Sequence, residues 1–417
     1  TLWQIVRSCT VTVVACTWVS LHLNIPHPHE SWYHGPLRQV GIVIMAIIAP
    51  ELVIAWALRQ WLVTLRPQPS YSPDSFAEWT KTHYFFGIMG GYMFYKDDDE
   101  NTPRVLDVQD KERLQLIFKC PTFTGLTEAD ITDRGKRNSL EKAPAVIQGL
   151  WFILQLLART AQNLALTELE LATLGFALLN SVTYFLWWNK PHGAQRPCVL
   201  RKEQYWGRVS KTDIIQEFSR LLLSGPCRKA KKAHSKTTPS SSSCSLPREV
   251  WRKLAAGFTI VIHATLTPFL EMVKPQPMTT KAECVPTFHA GKLDLADEGI
   301  TYCVTAAISM IFGAVHLAGW NFYFPSRIEQ ILWRSCSFAI TCLPCAVWIW
   351  WATRHLLGHS KGKNENAGVI EVTFMTLLTF LYISARIALL AVAFTSLRCL
   401  SPGAYRAVSW TNYIPHV

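Results

Sequence analysis

Between Ala145 and Pro191 the chain carries two long apolar runs parted by only a few residues around Leu166 and Thr167. About 20 apolar residues cross a hydrocarbon core of roughly 30 Å, so the pattern predicts a helical hairpin that crosses a bilayer and returns. The Trp187-Trp188 pair falls where an aromatic belt meets the headgroups. The hairpin is not uniformly apolar. Gln148, Gln155 and Gln162 recur every seven residues and Arg159 follows Gln155 by four, so all four share one helical face, and Glu168 and Glu170 open the return helix. Polar groups at that depth are expensive unless they pair or line water, so this face is expected to point into a bundle.

The rest of the chain repeats the theme. Apolar residues make up 49% of the 417 residues and charged ones 17%. The mean hydropathy is only +0.14 because apolar runs alternate with two long polar loops. A soluble fold would have to bury several helices that are apolar all round. The net charge of +12 is concentrated in one loop, which in such a chain speaks of orientation and anionic lipid rather than nucleic acid. The 12 cysteines form no framework. The one CxxC, Cys342 to Cys345, sits inside an apolar run with no second pair to complete a zinc site, so the thiols read as small apolar side chains.

In order, residues 1–58 hold two spans. The chain begins at Thr1 without a methionine, as a processed or truncated start would. Ser8 to Leu23 is the first span. The loop after it gathers His27, His29, Glu30 and His34 beside His22, but its prolines set no facing ligand pair, and no metal site is expected. Val40 to Leu58 is the second, broken at Ala49-Pro50-Glu51, where a proline kink adjoins a carboxylate at mid-membrane depth. Residues 59–144 form a polar loop. Within it the apolar, aromatic segment 82–95 is too short to span and is expected to be re-entrant or interfacial, with His83 at its start. The acidic run Asp97 to Glu100 lacks the spacing of a calcium loop. A short amphipathic helix is predicted over Gln109 to Lys119, and a helix start at Thr127.

After the hairpin at 145–188 comes a basic loop, 189–250, which charge places in the cytosol. It is expected to carry a surface helix over 213–223 and a disordered lysine- and serine-rich stretch over 228–245. Four more spans are predicted in 251–397: Trp251 to Val273 with His263, Gly299 to Phe322 with His316, Trp333 to Trp351 around Pro344, and Val369 to Leu397 with Arg386 well inside. A tail, 398–417, closes the chain. The expected fold class is therefore all-α, a polytopic transmembrane bundle of about eight spanning helices plus one short re-entrant or interfacial segment.

The strings TELELATLGFALLNSVTYFLWWNKP, APELVIAWALRQW, GWNFYFPSRIEQILWR and SWTNYIPHV resemble a large group of multi-pass membrane proteins of filamentous fungi, mostly uncharacterised. The opening CTWVSLHLNIP resembles that group's first span. The resemblance covers nearly the whole chain except the serine-rich insert from Lys229 to Cys244. It implies an integral membrane protein, in the endoplasmic reticulum or plasma membrane, and brings no catalytic residues with it.

Three functional readings follow from the residues. An intramembrane enzyme would use Glu51 as an acid, with His316 or Glu168 as its partner, on a lipidic or isoprenoid substrate, since a desolvated carboxylic acid can protonate an alkene or epoxide and aromatic faces stabilise the cation. His83, Gln155, Arg159, Glu170, His263 and Arg386 would then line the substrate's path. A channel, transporter or sensor would use the same residues, with the helices broken at Pro50, Pro268 and Pro344, although the two halves show no inverted repeat. A scaffold would hold the bilayer, with anionic lipid at 189–250. No cofactor can be named.

Overall fold

The computed structural model describes residues 1–27, 30, 34–66, 79–96, 99–110, 126–135, 139–200, 267–268, 271–272, 278, 282–356, 365–406 and 408. The expected surface helix 213–223, the stretch 228–245, His29, His263 and most of the helix from Gln109 and of the span at 251–273 lie outside them.

Ten helices and three short strands are described. In chain order they are α1 (Leu2–Ser20), α2 (His34–Ile48), α3 (Pro50–Leu65), α4 (Lys81–Ile88), β1 (Tyr92–Lys96), β2 (Asp99–Val105), α5 (Glu128–Arg134), α6 (Ser139–Ala161), α7 (Glu168–Leu186), β3 (Cys198–Leu200), α8 (Leu295–Leu317), α9 (Arg327–Leu356) and α10 (Glu365–Thr395). The helical bundle is as the apolar runs predict; among the described residues, which leave out most of the expected span 251–273, five helices are long and apolar enough to cross a membrane: α1, α7, α8, α9 and α10. Two of the differences from the expected eight have a physical reason. The run read as one span at Val40 to Leu58 is two helices, α2 and α3, bent by 109° at Ala49, and counting that pair as one span gives six. α6 is kept out by its glutamines and Arg159, which lower its hydropathy.

The predicted return helix, α7, is the axis of the bundle. It packs against α1, α3, α6, α8 and α10, and 61% of its apolar window is buried, against 28% or less in the other four. Those four therefore turn their apolar flanks outward, with Leu377, Phe380, Ile328 and Phe338 exposed, as lipid-facing residues must be. α7 starts cleanly: the Thr167 hydroxyl accepts from the Glu170 amide, and the Glu170 carboxylate accepts from the Thr167 amide at 2.9 Å. α6 ends just before it at Asn163, whose φ of 53° is a left-handed conformation that asparagine tolerates.

The all-α expectation misses a small cap at one end of the bundle. The segment 82–95, expected to be re-entrant or interfacial, is not a single helix. It supplies α4 and then β1, the middle strand of a sheet in the order β2-β1-β3, antiparallel to β2 (Met93 opposite Val105) and parallel to β3 (Tyr92 opposite Cys198). A middle strand covered by a helix is buried on both faces, which is why Phe86, Met89, Tyr92 and Met93 are all buried and why the segment looked like membrane. His83 is part of this cap: its Nδ1 meets Thr80 and its Nε2 lies 3.0 Å from the Leu126 carbonyl.

α2 and α3 form a pair bent by 109°, the geometry of a broken span or a re-entrant loop. α2 starts at the capped end, where Arg38 pairs with Glu30 at 3.1 Å. α3 finishes at the same end, where Arg66 meets Asp297 at 2.6 Å, at the start of α8. Their junction reaches into the bundle, against α10 and the aromatic rings of α7 and α8. Proline at the first position of α3 suits a helix start there, because its missing N–H would have had no partner.

Candidate functional site

Three polar clusters are strung along α7. At the uncapped end, Arg159 of α6 is buried and its guanidinium donates to the carbonyls of Ala165, Ala404 and Arg406 at 2.6 to 3.0 Å. Its Nε stands 3.7 Å from the Glu170 carboxylate. It ties the α6–α7 turn to the chain after α10. Glu168 faces Ser396 and Glu329 in the same region, and Glu329 pairs with Arg398 at 2.8 Å. The glutamine stripe does face inward: Gln148 donates to Thr12 of α1, and Gln155 lines, with Arg159 and Glu170, a space of about 450 Å³.

Half-way along the bundle lies the junction of α2 and α3. A helix end leaves carbonyls without partners, and Pro50 offers no N–H. Arg386 of α10 supplies the donors, its Nε to Ile48 O at 2.8 Å and its Nη2 to Ile47 O at 3.2 Å. Its guanidinium also lies over the Phe312 ring, 4.0 Å from the centroid. Glu51, in the first turn of α3, faces this cation and the Tyr382 hydroxyl, and a carboxylate there also suits the helix dipole. His316 is close by, with Nδ1 2.9 Å from the Phe312 carbonyl and its ring against Phe312 and Trp333. The structure thus brings Glu51, His316 and Arg386 into one neighbourhood and puts Glu168 in another.

At the capped end sits a cluster that sequence reasoning missed. Lys190, 1% exposed, donates to the carbonyl of His22, to Asn24 Oδ1 at 3.2 Å and to Gln60 Oε1 at 2.9 Å. Its ammonium lies 4.7 and 4.5 Å from the indole centroids of Trp56 and Trp187. Burial pushes the amine well below its ordinary range, while three acceptors and two aromatic faces match an ammonium's three donors. Gln60 and Asn24 pass the network on to the carbonyl of His289. Trp187, expected in a headgroup belt, is wholly buried here, and only Trp188 is exposed. The one available signal was a lysine directly after an apolar aromatic run, WWNKP.

Beside this cluster opens a cavity of about 900 Å³. α3 lines one side with Leu52, Ala55, Trp56 and Arg59, α2 contributes Arg38, the loop after α1 brings Asn24, His27 and Glu30, and the segment 282–292 closes it. Asp107 and Glu271 also reach its wall. Three buried polar atoms of its lining have no hydrogen-bond partner among the described residues: Arg38 Nε, Arg59 Nε and Glu30 Oε2. Burial holds the His289 imidazole below its ordinary value, with Asp107 acting against the shift. His27 pairs with Glu283 at 3.2 Å, and among the described residues no group of three or more His, Cys, Asp or Glu is arranged to hold a metal ion. Glu51 does not line this cavity although Leu52 does.

Residues 1–212 and 290–417 match the Family of unknown function (DUF8562), and the chain belongs to that family. The matched residues include the bundle, the α2–α3 pair and the cap, and exclude the cavity wall from Ala282 to His289. No curated protein and no solved structure matches the chain.

Proposed function

We propose that this family member is an integral membrane protein that binds a small amphiphilic molecule in the cavity between the α2–α3 pair and the cap. The observation that carries the reading is the lining: an apolar wall along α3 beside three buried, unmatched polar atoms of Arg38, Arg59 and Glu30. Buried polar groups in folded proteins normally have partners, and a ligand's head group supplies them. A space of about 900 Å³ lies within the range of small-molecule sites. The lipidic or isoprenoid ligand expected from the sequence has the right character for both walls. If acid chemistry is performed on it, Glu30, Asp107 and Glu271 are the carboxylates that meet it, and Glu51 serves the helix break instead.

A transporter or sensor is the second reading, and one observation favours it: the cavity floor is a broken helix pair whose tip reaches mid-bundle, the device that transporters use to build sites. By the charge rule the capped end, from which 189–250 leaves, faces the cytosol and its anionic lipids. The resemblance to proteins of filamentous fungi, and a place in the endoplasmic reticulum or plasma membrane, belong to this proposal too.

The test is native mass spectrometry with lipidomics on the purified protein and on Ala55→Trp, which fills the cavity from α3. A discrete lipidic species bound to the wild type and lost from the variant supports the reading. Bulk phospholipid alone, the same in both, contradicts it.

A further inference from the structure

We infer that the ligand is an anionic amphiphile, an apolar chain ending in a carboxylate or phosphate, and that Arg59 recognises its head. The inference rests on the reading of the cavity as an amphiphile site and adds the ligand's charge and direction.

Leu52, Ala55, Trp56 and Arg59 follow one another at helical spacing and share one face of α3. From Leu52 to Arg59 is about 10 Å along the axis. Leu52 lies next to the buried tip of the bent pair, and Arg59 lies toward the capped end. The face is therefore apolar toward the buried tip and cationic toward the capped end, which is the polarity of a chain with an acidic head.

Arg59 differs from the other cations nearby. Arg38 is paired with Glu30, Arg66 with Asp297, and Lys190 is held by three oxygens. Among the described residues Arg59 makes no hydrogen bond and no ion pair, and its Nε is buried. Among the described residues the acids of the wall do not pair with it: Glu30 is held by Arg38 at 3.1 Å, Asp107 accepts from the Gln109 amide at 3.0 Å, and neither Asp107 nor Glu271 forms an ion pair with a described arginine. A half-buried guanidinium without an acceptor is costly. Its planar fork suits a carboxylate or phosphate taken by two parallel hydrogen bonds. A cationic head offers it no acceptor, and a neutral oxygen offers an acceptor without the compensating charge.

The experiment measures binding of dodecanoate, dodecyl phosphate, dodecanol, acetate and inorganic phosphate to the full chain in nanodiscs, for the wild type, Arg59→Gln and Arg59→Lys. Thermal unfolding of each confirms that it is folded. Both anionic chains are expected to bind at least about tenfold more tightly than dodecanol, the scale of a charge-assisted hydrogen bond. Arg59→Gln should bring them down to the affinity of dodecanol, which itself stays unchanged, and Arg59→Lys should recover part of the difference. Dodecanol binding as tightly as dodecanoate, or equal loss of both in Arg59→Gln, overturns the anion assignment and leaves the amphiphile reading standing. No binding of any chain overturns both. Acetate or phosphate binding as tightly as the chain compounds overturns the apolar half of the ligand.

Discussion

Arg386 donates its Nε to the carbonyl of Ile48 at 2.8 Å, and this bond joins the middle of α10 to the last turn of α2. It explains how a helix can stop in mid-bundle. The carbonyls freed at Ile47 and Ile48 find donors, the donors' charge finds Glu51, and the flat guanidinium finds the Phe312 ring. Ionisable groups at membrane depth invite a catalytic reading. Here Arg386 is held by the break it caps, while one Glu51 oxygen, Oε2, is buried with no hydrogen-bond partner among the described residues.

Arg386→Leu should therefore destabilise strongly, by about 3 kcal/mol or more, because it strips two buried carbonyls of their donors and removes the cation that Glu51 faces. Glu51→Gln keeps a hydrogen-bonding isostere and should cost less than about 1.5 kcal/mol. Thermal unfolding in one detergent compares the two. Equal losses would show that Glu51, rather than the capped carbonyls, anchors the junction.

Lys190→Met removes the centre of the capped-end network: the His22 carbonyl loses its donor, while Asn24 Oδ1 keeps the Gln60 amide at 3.1 Å and Gln60 Oε1 keeps the Trp187 indole at 2.9 Å. The expected cost is about 1 to 3 kcal/mol. Limited proteolysis should find the 282–292 segment loosened first, since Asn24 and Gln60 hold its carbonyls. A variant as stable and as resistant as the wild type would refute the role.

Gly313 is where α8 and α9 come closest. A Cβ there would lie 2.7 Å from the Thr341 Cα and 2.8 Å from its backbone nitrogen, so the helices themselves would have to part. Gly313→Ala should cost about 1 to 3 kcal/mol. Shortening the neighbour in Gly313→Ala/Thr341→Ser should not restore it, because the obstacle is backbone. Unfolding temperatures of the single and double variants decide.

How much of this was legible in the sequence depends on what each signal encodes. Apolar length gave α7 to α10 because lipid contact demands it. It misjudged α2 and α3, since Ala49-Pro50-Glu51 marks a break without saying whether the chain bends on through or turns back. It misread β1, since burial under α4 and between two strands makes the same apolar run that a membrane does. The glutamine stripe was readable because helical spacing fixes a face. Lys190, Asn24 and Gln60 were not, because they come from three distant segments and meet only in the fold. Arg59 was passed over for a like reason: its sequence gives a cation near a helix end, and only the structure shows that no described residue pairs with it.

His289 offers a pH test at the cavity wall. Its native pKa lies below the ordinary 6.5 because burial disfavours the imidazolium. Above about pH 6.5 it is neutral in both states. As the pH falls below that, the unfolded chain takes up a proton that the folded chain refuses, so stability falls, by at most about 1.4 kcal/mol per pH unit, until the lowered native pKa is reached. Unfolding temperatures between pH 7.5 and 5.5 should therefore drop more steeply for the wild type than for His289→Gln. Parallel curves would remove His289 from the account.

The central claim is that α2 and α3 enter and leave the bundle at one end and so build the cavity floor. It is tested most directly by side-specific labelling. With the 12 native cysteines replaced, single cysteines at Gly35 and Arg66, which bracket the pair, are challenged in oriented vesicles with a membrane-impermeant maleimide, with Tyr405 as the marker of the opposite end. The account predicts that Gly35→Cys and Arg66→Cys label from the same side and Tyr405→Cys from the other. Labelling of positions 35 and 66 from opposite sides would make the pair a kinked full span and contradict it.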